Sequence, residues 1–287
     1  MTLHPHTPIF NFTSDSTWGW SIQEITFTWA TAQAATNTSS IAIYLNDAHA
    51  SPGGFWDITI RRCNFNNGFR AISNNTSLTA PVWGTHISDC VFQGGMTGAS
   101  VCLLPNPQIG QPRICIENCE LDANNATEPL IQISASDTIE LRSLEFLNGT
   151  APVAQILIGG CPNITLINCR SENYNFGSAG GKALWNFSGS HVSVIGCTIT
   201  GVLGTAGTQY ALYATSGGVL NIDGLVVNSS MSGGELLPWF ASEILSVSRF
   251  ASTGNVTDNI RAYLGNVAVP NVYADAALFA VNVPTGK

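Results

Sequence analysis

Two glutamates and an arginine recur at a fixed spacing and could form an acid–base site. Glu120, Glu145 and Arg170 follow one another at steps of 25 residues, and Asp122 and Glu172 lie two residues beyond the first and the last of them. Paired carboxylates hydrolyse glycosidic bonds, one as general acid and the other as base or nucleophile. On layers about 4.8 Å apart, like-charge repulsion would favour the protonated form of one carboxylate. The four acidic residues are therefore candidate catalytic groups, with Arg170 as a candidate substrate-binding residue.

The same charged residues also have a purely structural interpretation. Glu145 and Arg170 would pair with each other on a solvated wall, and Glu117 and Arg142 would pair in a neighbouring turn. Exposed ion pairs of this kind are common and contribute little to stability. The residue types alone therefore leave open both an acid–base site and a surface ion-pair network.

A repeated twelve-residue phrase indicates the elements that position these side chains. Its copies read WDITIRRCNFNN at residues 56–67, GTHISDCVFQGG at 84–95, RICIENCELDAN at 113–124 and PNITLINCRSEN at 162–173. One anchor position recurs at steps of 25 to 29 residues after a first step of 38 residues. The nine anchors are Ile25, Cys63, Cys90, Cys119, Leu144, Cys169, Cys197, Leu225 and Phe250. This periodicity predicts a solenoid of nine stacked turns.

The spacing of apolar residues around each anchor predicts a strand, a tight turn and a second strand. Apolar residues occur five and three residues before the anchor, at the anchor and two residues after it. Alternate side chains of a strand share a face, so the odd step of three requires a bend. Asn118 and Asn168 occupy this bend and tolerate turn geometry. A third strand, beginning about thirteen residues before the anchor, predicts three parallel sheets, with the anchor cysteines as a buried ladder of free thiols.

The phrase, with an asparagine before the cysteine, resembles the right-handed parallel β-helix family, the pectate-lyase-like superfamily, over residues 20 to about 265. The resemblance implies an all-β fold, a single-stranded right-handed parallel β-helix with three parallel sheets and about nine rungs. It implies no single activity, since the superfamily includes lyases, hydrolases, phage tailspikes and inert scaffolds. The N-T-D, D-D, G-H-G and R-I-K signatures of polygalacturonases are absent, as is the set of calcium-binding aspartates of pectate lyases.

Three segments are expected along the chain. Residues 1–19 would be an N-terminal lead-in or cap, residues 20–265 the parallel β-helix, and residues 266–287 a C-terminal cap or oligomerisation tail. The ends of a solenoid expose unpaired strand edges that need a cover.

Aromatic residues predict a second outward-facing surface. Trp185 and Tyr213 stand twelve residues before their anchors, and Phe187 and Phe240 belong to the same predicted wall. Flat rings stack on the apolar faces of sugars, and they also pack in subunit interfaces. Trp185, Tyr213 and Phe187 are therefore candidate substrate-binding residues, with an oligomer interface as the alternative.

Composition argues against several other functions. The net charge of -8, with only ten lysines and arginines, provides no basic surface for nucleic acid. No apolar stretch is long enough to insert into a membrane, and the start MTLHPHTPIF lacks the pattern of a signal peptide. His86 and His191 are solitary in the sequence, so neither a metal nor any other cofactor is expected.

The combination of a rigid, mostly uncharged solenoid, free thiols and an aromatic surface is similar to phage tailspikes and other virion β-helices. This resemblance implies a virion surface protein, assembled in the host cytoplasm as a homotrimer with other virion proteins and binding host-surface polysaccharide. Because the repeats begin within twenty residues of Met1, the chain would be either a fragment of a spike or a small virion protein. The alternatives are a non-catalytic structural virion protein, such as a capsid decoration or tail component, and a secreted polysaccharide lyase or hydrolase.

Overall fold

The computed structural model describes most of the repeats and none of the last thirty-three residues. The described residues are 7–13, 17–46, 54–75, 82–104, 113–122, 126–134, 136–149, 154–175, 182–204, 209–215, 219–231, 244–248 and 251–254. No helix occurs among them, and none of them belongs to an apolar helical segment that could span a membrane.

The described chain forms short strands throughout. In chain order they are β1 (Phe10–Phe12), β2 (Thr17–Trp18), β3 (Ser21–Gln23), β4 (Thr26–Thr28), β5 (Ile41–Leu45), β6 (Phe55–Trp56), β7 (Thr59–Arg61), β8 (Asn64–Asn66), β9 (Arg70–Asn74), β10 (Val82–Trp83), β11 (Thr85–Ser88), β12 (Val91–Gln93), β13 (Val101–Leu103), β14 (Ile114–Glu117), β15 (Glu120–Asp122), β16 (Ile131–Ser134), β17 (Thr138–Arg142), β18 (Glu145–Leu147), β19 (Ile156–Ile167), β20 (Arg170–Glu172), β21 (Lys182–Ile195), β22 (Thr198–Gly204), β23 (Gln209–Thr215), β24 (Val219–Asp223), β25 (Val226–Met231), β26 (Ile244–Ser248) and β27 (Ala251–Gly254).

All of these strands except β2, β6 and β10 stack into three parallel walls, which confirms the predicted parallel β-helix. The first wall contains β1, β5, β9, β13, β16 and β23, and the second contains β3, β7, β11, β14, β17, β24 and β26. The long strands β19 and β21 run from the first wall into the second, so the two walls share one 15-stranded hydrogen-bonded network. The third wall holds nine strands, β4, β8, β12, β15, β18, β20, β22, β25 and β27, one from each predicted repeat. About five complete turns are described.

The bend between the second and third walls is a left-handed residue directly before each anchor. Its φ lies between 49° and 75° in the eight described copies, namely Glu24, Arg62, Asp89, Asn118, Ser143, Asn168, Gly196 and Gly224. Asparagine, aspartate and glycine tolerate this conformation better than other residues do. The bend predicted from Asn118 and Asn168 is therefore confirmed.

The interior is a set of side-chain ladders that run along the solenoid axis. Phe27, Phe65 and Phe92 stack face to face, with ring centroids 5.0 and 4.9 Å apart. All five anchor cysteines are buried, and all eight cysteines of the chain are free thiols, as predicted. The amide of Cys90 donates to Sγ of Cys119 at 3.4 Å, and Sγ of Cys90 donates to the carbonyl of Ser88 at 3.2 Å. Equivalent residues of successive turns thus lie directly over one another.

Several predictions fall outside the described residues. They are the structure of residues 1–6, the ninth anchor Phe250, the aromatic Phe240 and the tail at 266–287. The proposed caps at the two ends of the solenoid stay predictions.

Candidate functional site

The structure brings the predicted charged residues together on the third wall. Glu120 lies in register with Glu145, and Glu145 with Arg170, on the neighbouring strands β15, β18 and β20. Arg170 donates to Glu145 at 3.4 Å and also pairs with Glu172 on its own strand. Arg170 and Glu145 are both more than two-fifths exposed. This part of the third wall is therefore a solvated ion-pair network around Arg170.

Asp122 and Glu172 occupy the second outward column of the same wall but do not lie on adjacent turns. Leu147 separates them in the register. Asp122 accepts a hydrogen bond from Asn148 Nδ2 at 3.5 Å, across one turn. Both carboxylates thus flank the Glu120–Glu145–Arg170 column, as the sequence predicts.

The prediction of an outward-facing aromatic wall is wrong for Trp185 and Phe187. Trp185 and Phe187 are both 0 % exposed, and they point into the core. Trp185 pairs with Ile156, and the outward position opposite Leu157 is filled by Asn186. The cause is a one-residue irregularity between Gly159 and Cys161: β21 has no residue opposite Gly160, so positions counted back from Cys197 across this point are shifted by one residue.

The remaining aromatic of that group keeps its predicted orientation. Tyr213 is half-buried and lies in the outward column with Asn186 and Leu157. Inside the core, the indole Nε1 of Trp185 donates to Gln155 Oε1 at 3.3 Å, which satisfies the one polar atom of its ring. The described part of the first wall therefore presents Tyr213 without a neighbouring exposed tryptophan.

A different set of aromatic residues forms a surface platform, in which Trp18 is exposed and Trp56 and Trp83 are half-buried. Strands β2, β6 and β10 form a small parallel sheet that carries Trp18, Trp56 and Trp83 in one register column. The rings of Trp18 and Trp56 are stacked, with centroids 4.9 Å apart and an interplanar angle of 12°. Trp56 meets Trp83 edge to face at 4.0 Å. We call these three residues the tryptophan platform.

The local backbone explains why three indoles line up. Each is followed by a left-handed residue, Gly19, Asp57 or Gly84, which turns the chain into the second wall. A Cβ at Gly84 would approach Asp57 Oδ1 to 2.5 Å, so only glycine fits at this corner beside Asp57. The same corner in three turns therefore fixes the same outward position for each tryptophan.

Sequence reasoning missed this platform, although its signal was present. Trp18, Trp56 and Trp83 each stand seven residues before an anchor, at Ile25, Cys63 and Cys90. This position lies between the predicted strands, so the alternation of inward and outward residues assigns it to no wall. Trp18 is 67 % exposed, which makes it the most exposed large apolar residue among those described.

A groove begins at the corner directly after the platform. It encloses about 410 Å³ on the outer face of the second wall. Its lining comprises Asp57, Gly84, Thr85, His86, Arg113, Cys115, Glu117 and Arg142. Because Asp57 follows Trp56 and Gly84 follows Trp83 in the chain, the groove and the platform form one continuous surface.

Ion pairs organise the charged side of the groove. Glu140 accepts hydrogen bonds from both Arg113 at 3.1 Å and Arg142 at 2.7 Å. Glu117 lies 2.8 Å from the Nε2 atom of His86, so it does not form the predicted pair with Arg142, although the two are in register. The reason is that Glu140, in the column beside them, takes both guanidinium groups. Burial, assisted by Glu117 and Glu140, raises the pKa of the Cys115 thiol.

Comparison of the chain with family models, with curated proteins and with solved structures finds no match. The parallel β-helix is therefore established by the strand register of the chain itself. This fold is compatible with carbohydrate binding or with a structural role, and only the site can distinguish between them.

Proposed function

We propose that the chain is a virion surface β-helix that binds a host-surface polysaccharide through the tryptophan platform and the adjoining groove. The observation that carries this proposal is the single register column of Trp18, Trp56 and Trp83 on the outside of the solenoid. Aromatic rings that reach the surface on neighbouring turns form an apolar patch, and such patches mark binding sites. Trp18 and Trp56 are stacked one strand apart, and Trp83 packs edge to face against Trp56, so the three indoles form one continuous apolar cluster along the axis.

The chemistry of the surface suits a sugar chain. The face of an indole covers the C–H groups of a pyranose ring, while polar neighbours bind its hydroxyl groups. Polar side chains are available in the groove at Asp57, His86 and Arg113. A polysaccharide lying along the axis would therefore meet stacking and hydrogen-bonding groups in succession.

Tryptophan replacement tests this function. Trp18→Ala and Trp56→Ala should each weaken binding to capsular or lipopolysaccharide glycans about tenfold or more, corresponding to ~1.4 kcal/mol. Binding is measured by quenching of the remaining tryptophan fluorescence and by calorimetry. Leu203→Ala is the matched control, because Leu203 is an exposed apolar residue on the third wall.

Two results would contradict the proposal. One is a parent chain that binds none of a broad panel of surface glycans, and the other is equal binding by the parent and both tryptophan variants. The first result would favour a non-catalytic structural virion protein, such as a capsid decoration or tail component. The charged column of the third wall supports that alternative, because Arg170 holds Glu145 and Glu172 in ion pairs.

The proposal includes the assembly expected of such a protein. A homotrimer would have a mass of about 91 kDa, three times the 30.3 kDa of the chain. With Trp185 and Phe187 buried in the core, the tryptophan platform, Tyr44 and Tyr213 are among the described aromatic groups that reach the surface. Free thiols are compatible with assembly in the reducing host cytoplasm beside other virion proteins. Light scattering that gives 30 kDa would contradict the trimer.

A further inference from the structure

Three side chains that bind transition metals converge on the floor of the groove. Ligand atoms of His86, Cys115 and Glu117 all lie within 4.8 Å of one another. The Nε2 atom of His86 is already 2.8 Å from Oε1 of Glu117. Zinc bonds of about 2.0 Å to nitrogen and 2.3 Å to sulfur place such ligand atoms about 3.5 Å apart. Small side-chain rotations therefore bring the three atoms to one ion.

The solenoid register explains the convergence. Cys115 and Glu117 are alternate residues of β14, so both point outward, while Ile114 and Ile116 are buried in the core. His86 lies on the preceding turn in register with Cys115. The three ligands thus come from two adjacent strands, which hold their backbones rigidly.

Cys115 differs from the anchor cysteines in position. The anchor thiols belong to the interior ladder, whereas Cys115 lines the groove and is 8 % exposed. Charged side chains surround Cys115 in the groove, and its register partners on the neighbouring strands are His86 and Glu140. A thiol in this setting can reach both the groove and an ion bound there.

The surrounding charges leave Glu117 available for a cation. Arg113 and Arg142 both line the groove, but Glu140 pairs with the two of them. The side chain of Glu140 is 19 % exposed, which makes it the least exposed carboxylate among the ion pairs of the described residues. Glu140 offsets one of the two guanidinium charges, and in the described residues Glu117 pairs with His86 and with neither arginine.

We propose that His86, Cys115 and Glu117 bind a divalent transition metal ion of the zinc class. The ion takes Nε2 of a neutral imidazole, Sγ as thiolate and one carboxylate oxygen. Its arrival releases the Cys115 proton to solvent, so two negative ligands balance the two positive charges of the ion. Three protein ligands leave a fourth position open toward the groove, as in exchangeable zinc sites.

The ligand set also defines which ions are excluded. Thiolate and imidazole are soft and borderline ligands that favour zinc or cobalt, whereas calcium and magnesium require oxygen ligands. This site could not be predicted from the sequence, because 29 residues separate His86 from Cys115. That separation is one turn of the solenoid, and no short-range motif encodes it.

Cobalt absorption tests the proposal without reference to glycan binding. Titration of the full chain with Co²⁺ should give one equivalent of bound ion, with a thiolate-to-cobalt charge-transfer band and the strong visible bands of four-coordinate cobalt. Zn²⁺ should displace the cobalt, and Ca²⁺ should not. His86→Gln, Cys115→Ser and Glu117→Gln should each weaken binding by about 100-fold or more, because loss of an outer partner alone costs 10–100-fold.

Matched variants separate this cluster from other ligands of the chain. Cys102→Ser replaces a buried cysteine of the first wall, and His191→Gln replaces an exposed histidine of the second wall. A His4→Gln/His6→Gln variant covers the two histidines near the start of the sequence. All three should bind cobalt as the parent does. Absence of the charge-transfer band, or parental affinity in Cys115→Ser with native circular dichroism, would overturn the proposal.

Discussion

At the scale of single residues, the strand register predicts which side chains share a column. It does not predict which of them form ion pairs, because that depends on side-chain rotamers. The column of Glu120, Glu145 and Arg170 follows from counting residues, because a parallel ladder places equivalent positions over one another. The choice of ion-pair partner does not follow from counting. Glu117 is in register with Arg142 but contacts His86, since side chains several bonds long reach sideways as easily as along the axis.

The pairs around Arg170 lead to a prediction about catalysis. Glu120→Gln and Glu145→Gln should leave a bound polysaccharide as intact as the parent leaves it, because Arg170 engages Glu145 in a solvated network. The loss of the exposed pair in Glu145→Gln should lower the free energy of unfolding by about 0.2–1 kcal/mol. Chromatography of glycan fragments and urea denaturation are the measurements. Cleavage by the parent that either variant abolishes would assign the catalytic role to this pair.

At the scale of elements, the predicted walls hold wherever the turns have equal length. The strand before the bend, the left-handed residue and the strand after it were all predictable, because the apolar step of three recurs at each anchor. Counting fails at β21, whose turn is one residue shorter than those of its neighbours. The irregularity between Gly159 and Cys161 leaves Gly160 without a partner in β21, so the position of Trp185 was assigned to the wrong face.

Replacement of Trp185 measures this correction directly. Trp185→Ala should lower the free energy of unfolding by about 3–5 kcal/mol, since it empties a large space in the core. Asn186→Ala is the matched control at the adjacent outward position and should change it by less than about 0.5 kcal/mol. Urea denaturation followed by circular dichroism provides both values. A small effect at Trp185 with a large one at Asn186 would restore the exposed aromatic wall.

The cysteine ladder links an element to the pH dependence of stability. The hydrogen bond with Cys119, together with burial, raises the pKa of the Cys90 thiol from its ordinary 9.0 to about 12. The folded chain therefore retains a proton that the unfolded chain loses above pH 9, so the stabilisation is complete below pH 9 and is lost between pH 9 and 12. The urea midpoint of Cys90→Ala should therefore decline less steeply between pH 9 and 12 than the midpoint of the parent. An equally steep decline would contradict this origin.

At the scale of the whole molecule, function depends on what the turns place side by side on the outside. The tryptophan platform, the groove and the His86–Cys115–Glu117 cluster all arise from residues one turn apart in a solenoid with few charged residues. Neither sugar binding nor metal binding is encoded in a contiguous motif here. Both proposals therefore require that equivalent positions of successive turns be adjacent in space.

Engineered cross-linking tests this register most directly. Glu120→Cys/Glu145→Cys places two half-exposed thiols on adjacent strands, at a separation that a disulfide spans. Glu120→Cys/Arg170→Cys is the matched control on the same column, two turns apart and beyond about 7 Å. Mild oxidation followed by peptide mass spectrometry should show the engineered disulfide in the first variant and not in the second. Failure of the first pair to form, or equal formation in both, would contradict the stacked register on which the platform and the metal cluster depend.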